Sequence, residues 1–108
     1  MDDGNQILVP PSFIALCSDE RGRLRETPDT VRERYELCED LACGLVAQAQ
    51  AQALYHEAPS EAGVLRGIHA AVASPATGLA PLEARWVVLR LAELLNWPAP
   101  DEFDLSRP

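Results

Sequence analysis

From Thr27-Pro28 to about Tyr55 the chain has one proline, at the start, and one glycine, and its apolar side chains recur every three or four residues. That spacing is the signature of a long amphipathic helix. At 100° per residue, Val31, Tyr35, Cys38, Ala42, Leu45, Val46 and Ala49 share one face, which Leu37 and Leu41 widen to about half the cylinder. Glu33, Glu36 and Asp40 line the opposite side, and Gln48, Gln50 and Gln52 continue it. Pro28 suits a first helical turn, where its missing N–H has no intrahelical partner to lose. Thr30-Val31-Arg32-Glu33 offers a capping box. A helix with a single greasy face needs other elements to cover it, and the rest of the chain must supply them.

Three further segments answer that need. Pro10 forces Val9 out of the helical region, and Pro11 opens about one and a half turns of helix through Phe13, Ile14, Ala15 and Leu16. Ile7-Leu8-Val9 before it reads as extended, and Ser18–Thr27, rich in Arg21, Arg23 and Arg25, reads as a solvated connector. After the break at Ala58-Pro59, Ser60 is a good N-cap for a helix over about Glu61–Ala73, with Val64, Leu65, Ile68, Ala71 and Val72 as its stripe. Ser74-Pro75 and Gly78 form a connector, and Pro81 starts a last helix, Leu82–Asn96. This last helix carries Val87, Val88, Leu91, Leu94 and Leu95 on one face and Leu82, Trp86 and Leu89 on a second. A helix apolar nearly all round is packed on more than one side, so it belongs at the centre. No stretch alternates with period two. The expectation is an all-α fold, a small helical bundle of three main helices plus a short N-terminal helix. Residues 1–6 read as a flexible N-terminus, 7–97 as a single helical domain, and 98–108 as an acidic, proline-rich tail anchored by Phe103 and Leu105.

Charge and composition remove several function classes. Nine basic residues face 17 acidic ones, a net charge of −8 in 108 residues. Clustered positive charge is what phosphate backbones and anionic membranes require, so nucleic acid and membrane surfaces are disfavoured. No apolar run approaches the ~20 residues of a bilayer span. Asp2 and Asp3 stand where a signal peptide would be basic, which points to the cytoplasm and to reduced thiols at Cys17, Cys38 and Cys43. All nine basic residues are arginine, a bias that fits a GC-rich bacterial genome.

The residues that could carry chemistry fit structural roles better. With no glycine-rich loop and no lysine, nothing is arranged to hold a nucleotide's phosphates. Cys38, Cys43, His56 and His69 are metal-ligating types, but Cys38 and Cys43 diverge by roughly 140° around a helix. Of the carboxylates Glu33, Glu36, Glu39 and Asp40, the three on the polar side, Glu33, Glu36 and Asp40, read as an exposed ridge, with Arg32 able to pair with Glu36 one turn on. None of the serines sits in a G-x-S-x-G elbow. The sequence therefore predicts no catalytic residues, no cofactor and no metal. Glu61–Asn96 has the outline of a helix-turn-helix, so a small nucleic-acid-associated or transcription-related helical domain is the alternative, although its second helix lacks a basic polar side.

Protein interaction is the expectation left. Pro10, Pro11, Phe13 and Ile14 place a rigid turn beside apolar groups, Trp86 could stack on Arg90 as a cation–π pair, and Trp97 closes the last helix. Tryptophan and arginine are frequent interface anchors. The partner would be another protein, or a second copy in a homodimer. Three blocks, Val9–Leu16, Arg34–Ala42 and Trp86–Trp97, together resemble a family of small proteobacterial proteins often labelled "ATPase with chaperone activity". The resemblance spans most of the chain and implies a bacterial, cytosolic protein associated with a chaperone machine. It brings no catalytic residues with it.

Overall fold

The computed structural model describes residues 9–55 and 60–105. The fold is an all-α small bundle, with helices α1 (Pro11–Leu16), α2 (Pro28–Tyr55), α3 (Glu61–Val72) and α4 (Pro81–Leu95). Single 3-10 turns follow α3 at Pro75–Thr77 and α4 at Asp101–Phe103. Among the described residues the only extended pairing is an isolated bridge between Ser18 and Leu24. The expectations for residues 1–6, for Ile7-Leu8, for the break at Ala58-Pro59 and for the end of the tail, 106–108, fall outside the described residues.

The helix boundaries follow from local chemistry. Thr27, one position before Pro28, caps α2: its Oγ1 accepts the Thr30 N–H at 3.2 Å and its carbonyl accepts the Val31 N–H at 2.9 Å. The cap thus lies three residues upstream of the expected Thr30–Glu33 box, because Pro28 already belongs to the first turn. Ser60 caps α3 through the Gly63 N–H at 2.9 Å. α4 begins after Ala80, whose N–H is taken up by the Glu83 carboxylate at 2.9 Å. It ends at Asn96 in the left-handed conformation (φ 59°), with the Trp97 N–H returning to the Ala92 carbonyl at 2.9 Å.

The chain divides into two compact units, residues 1–37 and 38–108, with α2 continuous through the division. In the first, Phe13 and Val31 are buried, and the Phe13 and Tyr35 rings meet edge-on with centroids 5.7 Å apart. Residues 17–25 are not the plain connector expected. The Gly22 N–H donates to the Asp19 carbonyl at 3.0 Å, Gly22 is left-handed (φ 82°), and the Asp19 N–H donates to the Arg23 carbonyl at 2.8 Å. This is a three-residue hairpin loop, a turn followed by a left-handed glycine. The Asp19 carboxylate accepts the N–H groups of Arg21 and Arg23, and the Arg25 N–H closes the base on the Cys17 carbonyl at 2.9 Å.

The second unit holds the main core. Val64, Leu65, Ile68 and Val72 of α3 pack with Ala84, Val88, Leu91 and Ala92 of α4, with Ala49 of α2 and with Phe103. α4 therefore meets three elements, as its all-round apolarity requires. Of the residues expected on its two faces, Leu82 and Leu94 remain exposed at 37% and 38%, and Ala71 of α3 also points outward. The tail does more than hang from the core: Phe103 is buried, its ring centroid 4.8 Å from that of His69 with the two planes tilted by 49°, and Glu102 bridges to Arg66 at 3.0 Å. No helix among the described residues is long and apolar enough to cross a membrane.

Candidate functional site

The residues singled out in the sequence separate into anchors and exposed groups. In the first unit Pro11 and Ile14 are exposed, Ile14 at 39%, whereas Pro10 is half-buried and Phe13 is buried completely. Phe13 is thus the side chain that α1 buries, while Pro11, Ser12, Ile14 and Ala15 of the same six-residue helix are exposed. Trp86 is likewise buried, at 4% exposure, and cannot serve as a free interface residue. Trp97 is half-buried and packs against the core of the second unit.

Arg90 is engaged by carboxylates. Its Nε and Nη2 donate to Glu39 Oε1 and Oε2 at 2.8 and 3.0 Å, and its Nη1 donates to Glu93 Oε1 at 3.0 Å. The guanidinium is committed to a bidentate carboxylate pair that ties α4 to α2, with side chains 33% and 21% exposed. The Arg90 hydrogen bonds hold the Glu39 carboxyl below its ordinary range, against a smaller opposing effect of burial. Hydrogen bonding to Glu39, and after it to Glu93, raises the Arg90 pKa in turn. Glu39 thus stands apart from the ridge of Glu33, Glu36 and Asp40. The arrangement is a permanent ion pair, with no group poised to exchange a proton near neutrality. Arg32 pairs with Asp29 at 3.3 Å, in place of the expected Glu36.

The metal-ligating types do not converge. Cys38 is buried, Cys43 is exposed with its thiol 3.8 Å from Glu39 Oε2, and His69 is occupied with Phe103. His56 lies outside the described residues. Among the described residues, no three His, Cys, Asp or Glu side chains form a metal cluster. Every buried side-chain nitrogen and oxygen described has a hydrogen-bond partner.

Sequence reasoning missed one concave surface. Leu89 of α4, with Ala99, Pro100, Asp101, Asp104 and Leu105 of the segment that follows it, lines an open groove of about 340 Å³. Its signal in the sequence was faint: Phe103 as an anchor implies that the neighbouring residues lie against the bundle, but not where. Compared with family models, curated proteins and solved structures, the chain matches none.

Proposed function

We propose that this chain is a helical protein-interaction module, an adaptor or chaperone-like accessory of the bacterial cytoplasm that performs no bond-making chemistry of its own. The observation that carries the reading is the large apolar surface left in water. Ile14, Leu24, Leu37, Leu54, Leu82 and Leu94 are between 37% and 75% exposed in a chain of 108 residues. Single exposed leucines are ordinary, but several on helices that also bury a full core favour a partner. The polar groups support the same reading, because the strongest charged constellation is closed into the Glu39–Arg90–Glu93 ion pairs. The resemblance to proteins labelled "ATPase with chaperone activity" favours a chaperone machine as the setting.

Photo-crosslinking in bacterial cells tests this. A benzophenone side chain at Ile14 or at Leu94 is expected to trap a discrete protein partner, and serine at the same position to lose it. A purified chain that stays monomeric, with no discrete crosslink from either position, overturns the reading.

A further inference from the structure

The groove beside Leu89 has a chemical character that neither the exposed leucines nor the core shares. Its floor is apolar: Leu89, Ala99, Pro100 and Leu105. Its polar side consists of Asp101 and Asp104. These two acids share a side because the chain there makes a 3-10 turn, in which positions three apart line up. The Asp104 N–H closes that turn on the Asp101 carbonyl at 3.0 Å. The residues between them point elsewhere, Glu102 to Arg66 and Phe103 into the core. The turn and its cap residue thus divide their roles: Phe103 seals the core, Glu102 bridges to α3, and Asp101 and Asp104 line the groove.

We propose that this groove docks a short segment of another protein that carries an arginine or lysine beside an aliphatic residue. The proposal rests on the interaction-module reading and gives it a partner chemistry. The cation would lie against Asp101 and Asp104, and the aliphatic neighbour on Leu89 and Leu105. Arg85, whose Nη1 reaches the Asp104 backbone carbonyl at 3.5 Å, is the one cation the described structure places at this rim. A carboxylate accepts about four hydrogen bonds, so a second guanidinium still finds sites on the pair. The net charge of −8 draws basic partners and repels acidic ones. The groove is open along one side and does not enclose what it holds, which favours one or two side chains on a longer chain. Phe103 and the Arg66–Glu102 bridge hold the wall in place before any partner arrives, which lowers the ordering cost of docking.

The test is a titration of the full isotope-labelled chain with capped pentapeptides, followed through its amide resonances. Ala-Leu-Arg-Leu-Ala is expected to shift the amides of Leu89, Ala99 and Asp101–Leu105. Ala-Leu-Glu-Leu-Ala and Ala-Ser-Arg-Ser-Ala are expected to leave them in place. Asp101→Asn, and Asp101→Asn with Asp104→Asn, are expected to weaken the arginine peptide by about fivefold for the pair; the single exposed change serves if the double variant is unfolded. Equal response to the glutamate peptide, or none to the arginine peptide, overturns the groove assignment. So does a concentration-dependent shift of the same amides without peptide, which would give the groove to a second copy. Shifts gathered at Ile14 or Leu94 with a silent groove sink this proposal while leaving the interaction module standing. Crosslinks absent at those two positions with a responding groove move the docking face from the exposed leucines to the groove.

Discussion

Residues 38–105 gather ten buried side chains from α2, α3, α4 and the last 3-10 turn into one core, whereas residues 9–37 bury Phe13 and Val31 and hold their shape by local hydrogen bonds. The ties in the second unit span long stretches of chain: Glu39 to Arg90 across 51 residues, Arg66 to Glu102 across 36. The first has hydrogen bonds and ion pairs between near neighbours, among them Asp19 on Arg21 and Arg23, Thr27 on Thr30 and Arg32 on Asp29. Long-range ties make a segment open only with the whole, while local ones allow it to open alone. Stability should therefore concentrate in the second unit. The first exposes Ile14, Leu24 and Leu37.

The sharpest way to break that comparison is at its centre. Leu91 is fully buried on α4 within the core, and Leu91→Ala is expected to cost about 4 kcal/mol in urea unfolding. Phe103→Ala follows at about 3 kcal/mol, less than a ring of that size could cost because the short 3-10 turn that carries it can relax into the space. If Phe103→Ala leaves the unfolding midpoint unmoved, the segment after α4 is an appendage and the groove has no fixed wall.

The ion pair sharpens the comparison through pH. Glu39 has its carboxyl pKa lowered in the folded chain, so its contribution is present above the ordinary value of 4.5 and is lost as pH falls through the lower folded value. Glu39→Gln is expected to cost about 1 kcal/mol at pH 7, the scale of a partly exposed bidentate pair. The gap to the unsubstituted chain should close progressively below about pH 4.5. A gap that persists unchanged to about pH 3 would mean the carboxylate is not what Arg90 holds. Gly44→Ala has the opposite sign. Its added Cβ meets nothing within 4 Å on a helix interior, so the change is expected to stabilise by about 0.5–1 kcal/mol in the same assay.

How much of this was legible beforehand depends on the range of the interaction. The helices, the centrality of α4 and the Ser60 cap could be read from period, proline and serine, all signals within a turn or two. The ion pair between Glu39 and Arg90 could not, because each residue looks locally like an exposed helix charge and only the packing of α2 on α4 brings them together. Phe13 and Trp86 show the reverse error. Their residue types suggested contact with a partner, and burial makes them anchors instead. The hairpin at Asp19–Gly22 was legible and passed over: Asp at the first and Gly at the fourth turn position is a known signature, hidden here among arginines. The groove was the least legible, since a 3-10 turn of three residues has no periodicity to detect.

The smallest expected effect on folding separates presentation from support most cleanly. Ile14 and Phe13 are adjacent on the same short helix, one 39% exposed and the other fully buried. Ile14→Ser removes apolar surface that water already reaches, so it should change stability by less than about 0.5 kcal/mol. Phe13→Ala removes the edge-on contact with Tyr35 and the pin of α1, so the amides of Ser12–Cys17 should lose exchange protection. The informative result is the pairing of readouts. Ile14→Ser should keep the exchange pattern of α1 and lose the crosslinked partner; if it loses protection instead, Ile14 is part of the support, and the exposed face of α1 no longer counts as a presenting surface.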